Sequence, residues 1–138
     1  MGNGDGKKKI AMVVSECSFD KALMPLILGS SGRALDAEVH IFFTFFGLNL
    51  LKKGFKPRLK GLMRPFTGMM IRKMKKEKVP VFEELIDQCR ELGVKFYACS
   101  TSMKLMNVKK EDLIEGCEVA GAATFLKIAL DADVTLFI

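Results

Sequence analysis

The sequence predicts an α/β protein: a three-layer α/β/α sandwich around a mostly parallel sheet of about five strands. Three observations carry that prediction. Short, continuous apolar runs at 10–14, 39–46, 94–98 and 134–138 have the β-branched and aromatic content of strands covered on both faces, and a briefer run lies at 117–120. Segments with helical periodicity separate them, most clearly at 80–92. Strand and helix thus alternate along the chain, which implies right-handed crossovers and a sheet buried between helical layers.

A chain of 138 residues fits a single domain spanning 1–138. With 49% hydrophobic residues, it is excluded from the disordered class and has enough apolar surface for a buried subunit interface. No apolar run approaches the roughly twenty residues of a membrane span. Residues 1–8 are read as a disordered, solvated tail without the hydrophobic stretch of a signal peptide, and the protein as cytoplasmic.

The elements follow in order. Residues 10–14 form a central strand. Residues 15–18 make a turn, and 20–35 a helix with apolar positions at 23, 26, 27 and 35 and with Pro25 in its first turns. Gly29 and Gly32 suit close packing of that helix on the sheet. Residues 39–46 form the second strand, closed by Gly47 and a short helical piece at 48–53. His40 lies in that strand and is read as a hydrogen-bonded core residue. In the 80–92 helix, Phe82, Leu85, Ile86 and Cys89 share one face, which makes Cys89 a packing residue. Gly93 ends it. After the 94–98 strand come a short helix over 103–106, one or two helical turns at 109–115, the 117–120 strand, Gly121 as a turn, a helix over 122–130 and the last strand.

The chemistry concentrates where the third strand ends. Lys95-Phe96-Tyr97-Ala98-Cys99 hands over to Ser100, Thr101 and Ser102, which are suited to cap the next helix and to stabilise an anion at its start. Cys99 therefore stands at the C-terminal edge of a strand, where open α/β sheets bind ligands, and next to a helix start that favours the thiolate. The competing reading is a small buried hydrophobe. Cys17, in the turn after the first strand, is the rival thiol and a candidate resolving partner for Cys99. The four cysteines, Cys17, Cys89, Cys99 and Cys117, form no Cys-x-x-Cys pair, and with one histidine the usual zinc patterns are missing. No glycine-rich nucleotide motif follows a strand either, so no metal or organic cofactor is expected.

Between the second strand and the 80–92 helix lies a basic, Met-rich insertion, residues 52–78, longer than such a connection requires. It holds eleven basic side chains and one acid, Glu77, and so carries +10; the whole chain is +6, which leaves −4 for the remainder. Basicity therefore belongs to this segment. Leu62, Met63, Phe66, Met69, Met70, Ile71 and Met74 alternate with the charges, giving a mobile arm fit for an acidic partner or an anionic membrane surface. An alternative is that these side chains cover a groove of the subunit itself. Nucleic acid is disfavoured, because no stacking platform accompanies the lysines.

Three stretches, Ile-Phe-Phe-Thr-Phe-Phe-Gly-Leu-Asn-Leu-Leu at 41–51, Lys-Phe-Tyr-Ala-Cys-Ser-Thr-Ser-Met at 95–103, and Glu-Gly-Cys-Glu-Val-Ala-Gly-Ala-Ala-Thr-Phe-Leu at 115–126, together resemble the DsrE/DsrF-like family, in its peroxiredoxin-like branch. The resemblance implies a parallel α/β/α subunit assembled into homo-oligomers, trimers or hexamers. It implies cytoplasmic sulfur relay, with Cys99 at the position of the carrier cysteine and a small TusA-like sulfurtransferase as a partner. Cys17 and Cys117 stand where the family has other residues and inherit no role. In such a relay a thiolate accepts sulfane sulfur or a thiosulfonate group and passes it to another thiol. Peroxidase chemistry fits less well, since no activating arginine motif surrounds Cys99. A noncatalytic adaptor acting through the basic insertion is the alternative function.

Overall fold

A computed structural model describes residues 6–138. Five strands, β1 (Lys9–Val14), β2 (Glu38–Phe43), β3 (Lys95–Cys99), β4 (Cys117–Ala120) and β5 (Val134–Phe137), form one all-parallel sheet in the order β4-β3-β2-β1-β5. Helices α1 (Phe19–Ala34), α2 (Thr67–Lys76), α3 (Phe82–Leu92), α4 (Ser100–Leu105) and α5 (Ala122–Leu130) cover it on both faces. The expected fold class and its five strands are all present.

The strand order explains how the helices are distributed. From β1 to β4 the chain steps in one direction, and right-handed crossovers taken in one direction fall on one face. On that face α1, α3 and α4 pack against Met12, Val14, Ile41, Phe43 and Phe96, with α2 contributing Met74. Phe43 and Phe96 meet edge to face, their centroids 5.5 Å apart. The step from β4 back across to β5 reverses direction, so α5 is the one helix among the described residues on the other face. There Phe125 stacks on Phe42 at 4.8 Å and packs with Ala11, Tyr97, Cys99 and Ala120.

Gly32 lets α1 sit close to the sheet: a Cβ at this position would come within 2.9 Å of both Ile10 and Val39 side chains. Such contact is too tight for any larger residue without displacement, as the packing reading of this glycine requires. His40 is buried. Its Nδ1 lies 2.8 Å from the Tyr97 hydroxyl and its Nε2 3.2 Å from Glu38 Oε1, so it is the hydrogen-bonded core residue expected.

Three local expectations change. β2 stops at Phe43 rather than at residue 46, because Phe45 adopts a left-handed backbone (φ +47) and starts a 3-10 turn, Phe45–Leu51. Phe45 and Phe46 consequently point out of the core, 57% and 66% exposed. The helix after β3 starts at Ser100 and not at 103, with Cys99 itself as N-cap. The basic insertion is not a featureless arm: it holds a 3-10 turn, Gly61–Phe66, and then α2, which buries Thr67 and Met74. Its start is also tied down, through the Lys52–Leu113 bridge and the Lys53 amide donating to Asp112 O at 2.9 Å. Of the expected tail, residues 1–5 lie outside the described residues. Lys7 and Lys8 pair with Asp36 and Asp133.

Candidate functional site

The reversal of crossover direction also creates a crevice. After β3 the chain turns to the α4 side of the sheet, and after its neighbour β4 it turns to the α5 side. The C-terminal ends of these two strands are therefore where the connections diverge, the usual location of ligand sites in open parallel sheets. Cys99 is the last residue of β3 and stands in register with Ala120, the last residue of β4. Gly121 follows, close enough to Ser100 that an added Cβ would lie 3.7 Å from its hydroxyl. Ser100 also lines a shallow cavity of about 430 Å³ with Met103, Lys104 and Val119.

Around Cys99 the polar groups come from two strands. Ser102, buried in the first turn of α4, accepts a hydrogen bond from the Phe45 amide at 2.7 Å and lies 3.1 Å from the Thr44 hydroxyl. Thr44 reaches this point because Phe43 is in register with Ala98, which sets the residues just beyond them side by side. Burial is the largest influence on the Cys99 thiol and works against its ionisation. The Ser102 and Thr44 hydroxyls and the Ser102 and Thr101 amides together outweigh it, so the pKa falls below that of an ordinary cysteine. Only 6% of Cys99 is exposed, and it shares a buried cluster with Phe125, Tyr97 and Ala120.

The other thiols differ. Cys89 is fully buried, donates to the Leu26 carbonyl at 3.2 Å, and is pushed up to about 11 by desolvation. Cys117 is pushed up to about 11 by the same cause, against the nearby Arg90 charge. Cys17 is half-buried and packs with the core of the α1–α3 face, whereas Cys99 belongs to the α5 face. β2 separates their strands, and two strand spacings amount to roughly 10 Å. The structure thus places the two thiols in different packing clusters. All four cysteines are free thiols.

Of Ser100, Thr101 and Ser102, Ser102 lowers the Cys99 pKa through its side chain and backbone and Thr101 through its amide. Ser100 faces the neighbouring cavity. None acts as a side-chain helix cap, because Cys99 occupies the cap position. Thr44 escapes sequence reasoning, although a lone hydroxyl residue inside Phe-Phe-Thr-Phe-Phe is a visible signal. A larger cavity, about 590 Å³, opens over Cys17 rather than Cys99. Volume and thiol activation thus point to different places, and activation is the more direct requirement for a nucleophile. Among the described residues no cluster of three or more His, Cys, Asp or Glu could hold a metal ion, and no helix is long and apolar enough to cross a membrane.

The fold is shared with the ychN protein from E. coli, whose crystal structure superposes with a TM-score of 0.67 at 15% identity, covering 95% of this chain and 99% of that one. In sequence, the chain is 36% identical over 159 residues to the sulfur carrier protein DsrE2 of Allochromatium vinosum, covering 96% of this chain and 99% of the relative. It is 34% identical to the uncharacterized protein YrkE of Bacillus subtilis, covering 95% and 97%. The pattern of the DsrE/DsrF/DrsH-like family matches residues 6–66 and 60–137, two segments that meet inside the basic insertion. With that match spanning nearly all of its length, the chain belongs to the DsrE/DsrF/DrsH-like family.

Proposed function

We propose that the protein is a sulfur carrier in which Cys99 holds the cargo. One observation carries the reading: of the thiols whose ionisation is perturbed, Cys99 alone is shifted toward the thiolate, and it sits at the strand-end crevice of the sheet. The similarity to a sulfur carrier protein supports it. In the loading step the Cys99 thiolate attacks the outer sulfur of a donor persulfide. A new S–S bond forms, the donor's S–S bond breaks, and the donor leaves as a thiolate, so the sulfane sulfur moves without net oxidation. With tetrathionate, attack on an inner sulfur expels thiosulfate and leaves a thiosulfonate group on Cys99. In either adduct an acceptor thiolate then attacks the sulfur bonded to Cys99 Sγ; that S–S bond breaks and Cys99 leaves as its thiolate. The hydroxyls of Ser102 and Thr44 and the α4 amides hold the negative charge at both ends of this exchange.

Intact mass and peptide mapping after treatment with tetrathionate or polysulfide test this. The expected result is an added mass on the Cys99 peptide, removed by dithiothreitol and retained in Cys89→Ser, with a smaller total increment in Cys99→Ser. An unchanged increment in Cys99→Ser refutes the assignment.

The proposal extends to assembly. α5 and β5 leave Leu126, Leu130 and Phe137 exposed on the thinly covered face, which suits burial by a second copy of the chain. The exposed Leu62, Met63, Phe66 and Met69 beside the lysines of α2 suit an acidic sulfurtransferase partner, and an adaptor role rests on that surface.

A further inference from the structure

The 590 Å³ cavity has walls from three parts of the chain: the turn after β1, Phe46 after β2, and the first half of the basic insertion. Phe46, Phe55 and Leu59 make it apolar, while Lys56, Arg58, Lys60 and Arg64 make it cationic. Lys60 is neutralised by Glu16. Lys56, Arg58 and Arg64 have no carboxylate partner among the described residues, which leaves three uncompensated positive charges around the opening. The backbone is tethered at Arg58, Leu59 and Arg64. The Arg58 carbonyl accepts from the Phe19 amide at 2.9 Å, and the buried Thr67 hydroxyl accepts from the Leu59 amide at 3.0 Å and donates to the Arg64 carbonyl at 2.7 Å.

A thiol faces into this cavity. Cys17 lines it and is half-buried, and the Asn49 side-chain amide approaches its sulfur at 3.9 Å. Asn49 is oriented for that contact, since its oxygen is taken by the Lys52 ammonium at 3.4 Å, which turns its NH₂ toward the sulfur. A donor directed at sulfur, an apolar wall and cations carried on a tethered backbone together match a ligand with negative charge and an S–S bond.

We propose that this cavity is a second thiol site, in which Cys17 exchanges with an anionic low-molecular-weight disulfide or polythionate. Cys17 as its thiolate attacks one sulfur of the ligand's S–S bond; the Cys17–sulfur bond forms as that bond breaks. The other half departs as a thiolate, or as thiosulfate, and the proton lost by Cys17 passes to it or to solvent. The cations select for charge and raise the local ligand concentration, while Phe46, Phe55 and Leu59 accommodate an organic portion where there is one. Cys99 takes no part, being on the opposite face of the sheet.

The test uses Cys99→Ser protein, so that this proposal and the Cys99 assignment stand or fall separately. Three probes are compared at low salt: glutathione disulfide, tetrathionate, and the uncharged bis(2-hydroxyethyl) disulfide. Adduct formation on Cys17 is followed by peptide mass spectrometry, each rate being normalised to that of a free cysteine peptide. At least one anionic probe should exceed the neutral one by about ten-fold or more. Which one does so tells an organic source from an inorganic one. Combining Arg58→Gln with Arg64→Gln, or raising the salt, should remove most of this preference and leave the neutral rate unchanged. Equal normalised rates for all three probes, or an equal slowing of all three by the arginine substitutions, overturns the proposal.

Discussion

Gly47→Ala should damage the fold and the Cys99 site together. A Cβ at Gly47 would lie 2.2 Å from the Val14 carbonyl oxygen and 2.7 Å from its carbon, well inside the ordinary contact distance of about 3.5 Å. That wall is backbone at the end of β1, so no side chain can swing away. The Phe45–Leu51 turn has to shift by about an ångström, and this strains the Thr44 amide's 2.9 Å hydrogen bond to the same Val14 oxygen. Overpacking costs about 1–3 kcal/mol and a lost hydrogen bond about 1 kcal/mol, which together give about 2–4 kcal/mol. In urea titrations the midpoint should fall by about 1 M or more with the slope unchanged. Gly54→Ala is the control. Gly54 has φ +76 but open space around it, so only backbone strain of about 1 kcal/mol is expected. Because Thr44 and the Phe45 amide hold Ser102, folded Gly47→Ala protein should also alkylate more slowly at Cys99 near neutral pH. A Gly47→Ala midpoint equal to that of the wild type would refute this account of the contact.

Ser102→Ala and Thr44→Val should each move the pH profile of Cys99 alkylation by iodoacetamide to higher pH; Ser102→Ala should also cost about 1–3 kcal/mol, because the Phe45 amide loses its partner. An unmoved profile in both variants would remove the hydroxyls from the thiol's activation. For His40, burial lowers the pKa against the opposing effect of Glu38, so the unfolded chain takes up a proton at a higher pH than the folded one does. The contribution is therefore intact above about pH 6.5 and is lost as pH falls through the folded pKa. Urea midpoints should drop between pH 7.5 and 5 by more in wild type than in His40→Gln, and a larger drop in His40→Gln contradicts the sign. Leu126→Asp with Leu130→Asp should lower the mass measured by light scattering if α5 carries the self-association face, and a wild type already monomeric at micromolar concentration argues against such a face.

The five strands were legible because each is an apolar run bounded by a turn, and α3 because Phe82, Leu85, Ile86 and Cys89 keep helical spacing and are all buried. The end of β2 was not legible. An aromatic run from 42 to 46 carries no mark of the left-handed residue at Phe45, and its exposed half looks like its buried half. In the insertion the helical signal was present but diluted: Thr67, Ile71 and Met74 fall on one face of α2, while Met69 and Met70, equally apolar, face solvent. The Cys99 position could be read from the handover of strand to hydroxyl residues. Its partner Thr44 could not, since that contact arises from the register of β2 against β3, which no local pattern specifies.

The strand order links the site to the thinly covered face. One reversal of crossover direction, at β4, both opens the crevice at Cys99 and leaves α5 as the one helix among the described residues on the second face. Phe125 of α5 belongs to the same cluster as Cys99, while Leu126 and Leu130 of the same helix are exposed. Any molecule that binds the outer side of α5 therefore contacts the helix that supplies Phe125 to the Cys99 cluster. The basic insertion packs on the other core through Met74 and Ile71, and its Lys56, Arg58, Lys60 and Arg64 line the Cys17 cavity. The two thiols thus have separate electrostatic surroundings. The Cys99 pKa is lowered by neutral hydroxyls and amides at a nearly closed strand end, whereas Cys17 lines an open cavity with Lys56, Arg58 and Arg64. Chemistry at Cys99 should accordingly depend on how α5 moves, and chemistry at Cys17 on ionic strength.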